Sequence, residues 1–305
     1  LNNFYNNSSK GAKYGQADKI VKFKSEKEFK EYLEESTLTN SYYGFGGVAT
    51  GRDMMLKNES APIANDVSLG EDSASSGNLE RYSQTNVQVA GIDEADIVKT
   101  NGQEIYFSDP SRLYYYESGP IMPILDERVS PDYIMPPVYQ AKTSLIDAWP
   151  AKDLALDSEL DLNGNLLLHK DTLIVLGSDN NIYGYNVSDP KNPQKKWEMK
   201  IEDNSYLVSS RLYNDKIYLI TGTYIDSSRP CPYKPLLSGN TSLEIACTDI
   251  YHPISPAYTD STYTAISVDP QSGEIKDSVS FLGSNYSSLV YMSSDNLFIT
   301  YASDM

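Results

Sequence analysis

A strand-turn-strand phrase recurs four times in this chain, and a repeat of that kind leaves few folds open. It reads ADIVKTNGQEIYFSD from Ala95, LLLHKDTLIVLGS from Leu166, SSRLYNDKIYLITG from Ser209 and LVYMSSDNLFITYAS from Leu289. The turns fall at Asn101-Gly102, Lys170-Asp171, Asn214-Asp215 and Ser294-Asp295. Asn, Asp and Gly tolerate the positive φ that two-residue hairpins demand. Forty-four residues separate Asp171 from Asp215, which fits the roughly 40–50 residues of one four-stranded propeller blade. The intervals on either side are longer and hold Pro- and Ser-rich stretches, so two blades carry insertions, chiefly within 117–160 and 223–260.

The uninterrupted blade reads strand by strand as 166–169, 172–177, 181–186 and 194–201, with the turn Val187-Ser188-Asp189-Pro190 before its last strand. The next blade repeats that turn as Val268-Asp269-Pro270 before a strand over 275–281. Pro fixes φ and cannot donate to a central ladder, so it belongs between strands. The two Asp-Pro turns therefore occupy equivalent positions. The expected fold is all-β: a propeller of four-stranded antiparallel blades, three of them plus the start of a fourth, with a short N-terminal helix and a linker.

Four segments follow from this reading. Residues 1–18 are a polar tether and 19–36 hold a short helix that docks on the propeller. Residues 37–85 are a Ser/Gly/Asn-rich linker, and 86–305 form the propeller, expected to be incomplete at its C-terminal end. Ser25-Glu26-Lys27-Glu28 is a capping box for the helix, with Phe29, Tyr32 and Leu33 as its apolar edge.

The segment from Tyr82, YSQTNVQVAGIDEADIVKTNG, followed in order by VSDPKNP, SYLVSSRLYNDKIYLIT and YMSSDNLFITYAS, resembles a family of secreted proteins with a β-propeller domain distantly related to WD40 repeats. The helix phrase FKSEKEFKEYLEE is similar too, so the resemblance covers most of 20–305. It implies a secreted or surface-anchored propeller of bacteria and archaea without an established enzymatic activity, in which further blades follow. It supplies no catalytic residues.

The net charge of −17 argues against nucleic acid or an anionic membrane as partner, since both need a cationic footprint. The 25 tyrosines suit half-buried strand surfaces, with stacking against sugars or proteins as a second use. No run of about 18 apolar residues is present to span a bilayer. Cys231 and Cys247 lie in one insertion and read as a disulfide of about 3 kcal/mol by loop-closure entropy, the alternative being two buried free thiols. Asn-X-Ser/Thr triplets at Asn6, Asn7, Asn58, Asn186, Asn240 and Asn285 are candidate glycosylation sites.

Chemistry-bearing residues are sparse. His169 reads as a packed or edge imidazole and His252 as a surface residue of the Tyr251-His252-Pro253 loop. Asp93, Glu94 and Asp96 could offer oxygen ligands to calcium, against the plainer reading of a solvated acidic turn. Glu159, Asp161 and Asn163 have calcium-loop spacing but meet Lys170 at the twelfth position. Arg211 is placed to hold an inter-blade carboxylate.

The expectation is a non-catalytic secreted or cell-surface propeller that binds a surface protein or glycan. Its alternatives are an envelope subunit that self-assembles or is completed by a strand from a neighbour, and a propeller hydrolase or dehydrogenase whose site lies in further blades.

Overall fold

The computed structural model describes residues 19–41, 87–89, 91–110, 141–202, 204–284 and 288–301. At the N-terminal end a strand β1 (Ile20–Lys22) leads into helix α1 (Glu26–Ser41). Ser25 caps it as expected: its Oγ accepts from the Glu28 amide at 3.2 Å, while the Glu28 carboxylate reaches back to the Lys24 amide at 2.6 Å. The helix runs five residues beyond the boundary at 36 that the sequence suggested.

A short strand β2 (Asp93–Glu94) precedes the first sheet, an antiparallel meander of β3 (Val98–Thr100), β4 (Glu104–Ser108), β5 (Thr143–Asp147) and β6 (Ala155–Leu160). The second sheet is built from β7 (Gly164–His169), β8 (Thr172–Gly177), β9 (Asn181–Asn186) and β10 (Gln194–Ile201). The third begins with β11 (Ser205–Tyr213) and β12 (Lys216–Tyr224). The chain then leaves it to form β13 (Tyr233–Ser238), β14 (Thr241–Ile245) and β15 (Ile250–Pro253), and returns for β16 (Ser261–Val268) and β17 (Ile275–Gly283). A hairpin of β18 (Ser288–Met292) and β19 (Leu297–Tyr301) makes the fourth sheet.

All four repeated phrases are thus first-and-second-strand hairpins of their sheets. Asn214 and Asp215 turn at φ 49° and 57° and Gly102 at φ 90°, the positive φ that these residue types announced, whereas in the second hairpin Lys170, and not Asp171, takes it at φ 53°. The described residues do not close a ring.

Successive side chains of a strand point to opposite faces, so an unbroken apolar run is a strand covered on both sides. On β8, Leu173 and Val175 pack with Tyr106 and Leu145 of the first sheet, while Ile174 and Leu176 pack with Ile217, Leu219 and Ile266 of the third. On β12, Ile217 and Leu219 face the second sheet and Ile220 faces Val290 of the fourth. The sheets therefore stack as blades, the second and third each sandwiched by two neighbours. Apolar side chains stay exposed on the two end sheets: Leu154 and Leu156 beside the first, Leu289, Tyr291 and Phe298 on the last.

Each Asp-Pro turn passes its proline carbonyl to the preceding blade. The Pro190 carbonyl accepts from Ser158 Oγ of β6, and that of Pro270 accepts from Trp197 Nε1 of β10 at 3.0 Å. Asp189 and Asp269 hold their turns by accepting backbone amides two residues on. The equivalence read from the sequence is thus also a repeated latch between blades. Trp197 carries most of the second one. It lies directly over Gly184, where a Cβ would come within 2.1 Å of its Cε2, and against Gly273, which turns at φ 70°. Lys196 and Thr172 add hydrogen bonds to Gln271 at 2.7 and 2.9 Å.

Two expected loop insertions turn out to be sheet. Within 117–160, β5 and β6 are the third and fourth strands of their blade, and residues 117–140 lie outside the described residues. The segment 223–260 crosses to the second blade, where β13 pairs with the outer strand β10 (Met199 with Ser238, Ile201 with Leu236) and β14 completes a six-stranded sheet. The chain then comes back to its own blade, where β15 pairs parallel to β17 and β1 adds outside β15. The second and third sheets accordingly have six and seven strands rather than four, the seventh being β2 on the edge of β11.

Glu104 is buried between the first two blades at 5 % exposure, and its Oε2 has no hydrogen-bond partner. Burial first, then repulsion from Asp157 and Asp147, holds its carboxyl above the ordinary 4.5, against attraction from Lys191. The fold binds this proton more tightly than the unfolded chain does. Its stabilising effect is therefore complete below pH 4.5 and is lost as pH rises through the folded value. Glu104→Gln should raise stability at neutral pH by about 1–2 kcal/mol and add nothing at pH 4, as read by urea unfolding at both values. An equal effect at both would show that the ionised carboxylate carries no penalty.

Candidate functional site

The acidic signature lies along the edges formed by the first strands. Asp93 and Glu94 pair with Leu212 and Arg211 of β11 in the third blade. Asp96 makes a two-bond bridge to Leu166 of β7 in the second, with N···O distances of 3.1 and 2.7 Å, and the chain then enters the first blade as β3. The six residues from Asp93 to Val98 thus stitch three sheets.

Two of its three carboxylates are paired with cations of the protein. The Lys99 ammonium, 4 % exposed, is 2.6 Å from both Asp93 Oδ1 and the Glu94 carbonyl. Glu94 Oε1 lies 3.4 Å from Arg211 Nη2, and Asp96 Oδ1 accepts the Ile97 amide. The three acids expected to hold calcium do not converge, and no metal-holding group of three acidic, His or Cys side chains occurs among the described residues. The second calcium candidate is likewise occupied: Lys142 sits 3.0 Å from Glu159 and 3.3 Å from Asp161, and Asn163 bonds the Asp109 carbonyl and Ser178. In both places basic residues, Lys99 and Arg211 in the one and Lys142 in the other, pair with what looked like free ligands.

Arg211 holds a carboxylate of its own sheet rather than one of another blade: Glu94, its cross-strand partner on β2, through one nitrogen rather than two. It also donates to Ser209 Oγ and the Ser210 carbonyl, and across to Val290 in the fourth blade at 3.3 Å.

Both histidines are packed. His169 Nε2 lies 3.4 Å from Asp215 in the neighbouring blade, and burial, followed by the nearby Lys170, holds its pKa below the ordinary value. His252 is buried instead of lying on the surface. It stacks on Phe23 at 3.8 Å with Tyr32 edge-on at 4.8 Å, and its Nδ1 meets the Pro253 carbonyl at 2.7 Å. Burial also lowers its pKa. This aromatic nest holds β1 and α1 against the insertion, in one cluster with Phe29, Leu33, Ile250 and the Cys231–Cys247 pair. The two cysteines are disulfide-bonded with Cα atoms 5.4 Å apart, linking the start of β13 to the turn after β14.

Of the sequons, Asn240 is exposed at the tip of the β13–β14 hairpin next to Gly239 at φ 57°. Asn186 ends β9 half-buried, with its Oδ1 accepting the Ser188 amide. Asn6, Asn7, Asn58 and Asn285 lie outside the described residues.

The crossing of the insertion from the third blade to the second builds a cleft of about 320 Å³ that the sequence did not announce. The turn between β10 and β11 supplies Glu202, Asn204 and Ser205; the end of β12 supplies Thr223 and Tyr224; the crossing supplies Asp226, Arg229 and Lys234. The walls are internally bonded. Asn204 exchanges backbone and side-chain hydrogen bonds with the Tyr224 main chain at 2.8–3.0 Å, and the Ser205 and Thr223 hydroxyls meet at 2.8 Å. Asp226 accepts from the Ser228 amide and hydroxyl, which hold its pKa down. The disulfide and the β10–β13 ladder fix the far wall.

A family model described as "Beta propeller domain" matches residues 82–305. The chain is 37 % identical over 291 residues to an uncharacterised protein of Archaeoglobus fulgidus, covering 94 % of this chain and 43 % of that one. It is 34 % identical over 226 residues to an uncharacterised protein of Methanocaldococcus jannaschii, covering 73 % of this chain and 29 % of that one. The chain spans less than half the length of either relative. No solved structure matches it. No helix among the described residues is long and apolar enough to cross a membrane. Four stacked hairpin-led sheets and a match over residues 82–305 lead to one conclusion: the chain belongs to the beta propeller domain family.

Proposed function

We propose that this chain is the binding part of a secreted or cell-surface propeller, acting as a scaffold that recognises a surface component rather than transforming it. The observation that carries the reading is the cleft at the seam of the second and third blades. Its walls are strand, disulfide and hydrogen-bonded turn, so the concavity exists before any ligand arrives. Preformed walls lower the ordering cost of binding. The packed roles of His169 and His252 favour recognition over catalysis, since neither is placed as a base beside a described nucleophile.

The disulfide supports a location outside the cytoplasm, where such bonds persist. In protein isolated from its native cells and alkylated without reductant, peptide mapping should recover Cys231 and Cys247 as one linked peptide, in the envelope or medium fraction. Free, alkylated thiols in a cytoplasmic fraction would count against the extracytoplasmic reading.

A further inference from the structure

We infer that β1 and α1 form a strap that acid releases from the insertion, with His252 as the group that lets go. β1 pairs with β15, placing Val21 opposite His252, and Phe23, Phe29, Tyr32 and Leu33 pack into one cluster with insertion residues and Leu282 of β17. Tyr32 Oη ties the helix to the loop after β15: it donates to the Ser255 carbonyl at 3.4 Å and accepts the Ala257 amide at 3.2 Å. A helix of 16 residues is marginal in water without such support, so α1 depends on its docking.

His252 lies at the centre of that contact, and its surroundings fit only the neutral ring. A carbonyl only accepts, so the 2.7 Å contact with Pro253 fixes the proton on Nδ1. A second proton must go to Nε2, which is buried without a hydrogen-bond partner. The ring lies flat on Phe23, with 3.8 Å between centroids and 9° between planes, and the residue is 6 % exposed. The Phe23 face attracts a cation but gives the new N–H no acceptor, so protonation sets a poorly solvated charge between β1 and α1.

The charges around the ring do not compensate. On α1, Glu28 favours the cation, but its carboxylate is committed to the Lys24 amide at 2.6 Å, and burial of the imidazole outweighs it. On β1, Lys22 turns to Asp249 at 3.6 Å and lies over Tyr251, while Lys24 beyond it is exposed. β17 brings Ser280, Phe281 and Leu282, none of them charged, and Cys231 and Cys247 are joined as a disulfide. The docked imidazole is therefore held below the ordinary 6.5, which it regains when the strap lifts and the ring meets water. Its contribution to docking is complete above pH 6.5 and is lost as pH falls from there towards the docked value.

Hydrogen exchange of the intact chain at about pH 7.5 and about pH 5, corrected for the pH dependence of intrinsic exchange, tests this. Protection over 20–36 should fall about tenfold or more at the lower pH, while that of β8 and β9 stays. His252→Phe keeps a ring on Phe23 and cannot be charged, so its strap should stay protected at both values. His169→Gln should leave the wild-type difference unchanged, since His169 lies in the seam of the second and third blades. Should His252→Phe dock poorly at both values, NMR titration of the His252 ring in wild type decides: its midpoint should lie below 6.5 and coincide with the loss of protection. Equal protection of the wild-type strap at both values, a pH-dependent loss that persists in His252→Phe, a ring midpoint at or above 6.5, or a loss shared equally by β8 and β9 would overturn the inference.

Discussion

Replacing Trp197 with Ala should cost about 3–5 kcal/mol, a large part of the whole stability of a domain. The side chain is 8 % exposed, fills the space that Gly184 and Gly273 leave open, and donates its indole N–H to Pro270 in the next blade. Its removal opens a cavity between two sheets and leaves a proline carbonyl without its partner. Trp197→Phe keeps most of the volume and loses the hydrogen bond, so about 1–2 kcal/mol is expected. Urea unfolding checks both. A cost below about 1 kcal/mol for the Ala variant would mean that the Asp-Pro turn is not latched through this residue.

Asp93→Ala should be nearly as severe, at about 3 kcal/mol, because it removes the carboxylate that lies 2.6 Å from the buried Lys99 ammonium. The double variant Asp93→Leu with Lys99→Met should recover much of the loss, since an apolar pair of similar volume avoids the desolvation cost that the ion pair only offsets. A calcium-dependent melting temperature in wild type, abolished in Asp93→Ala, would instead favour the ligand role suggested by the acids alone. The ion pair predicts a melting temperature indifferent to calcium and chelator.

The hairpins were legible because their signals are local. Asn214-Asp215 carries positive φ in two adjacent residues, and the burial of β8 on both faces follows directly from its run Leu173-Ile174-Val175-Leu176, apolar at every position. Strands 172–177, 181–186 and 194–201 appear with the expected ends for the same reason.

The insertion was illegible because its partners are remote. Pro230, Pro232 and Pro235 mark a loop by every local rule, yet Pro235 sits within β13 where the pairing with β14 shifts register between Tyr233 and Leu236. At such an irregularity the missing N–H is tolerated. Nothing local says that β13 should seek β10 of the preceding blade, or that β1 should seek β15. The cleft was hidden for that reason, since its walls come from three separated stretches of chain. The cations around the acids were hidden for a related reason, since only the fold brings Arg211 to Glu94.

A preformed cleft requires the insertion to be a built wall between two blades and not a loose loop. Native-state hydrogen exchange over 233–245, read peptide by peptide with the disulfide intact, tests this most directly. The β13 amides paired with β10 should be protected nearly as well as β9 and β10 themselves. Exchange across 233–238 at the rate of an unstructured loop, with β9 and β10 protected, would contradict the wall and with it the cleft.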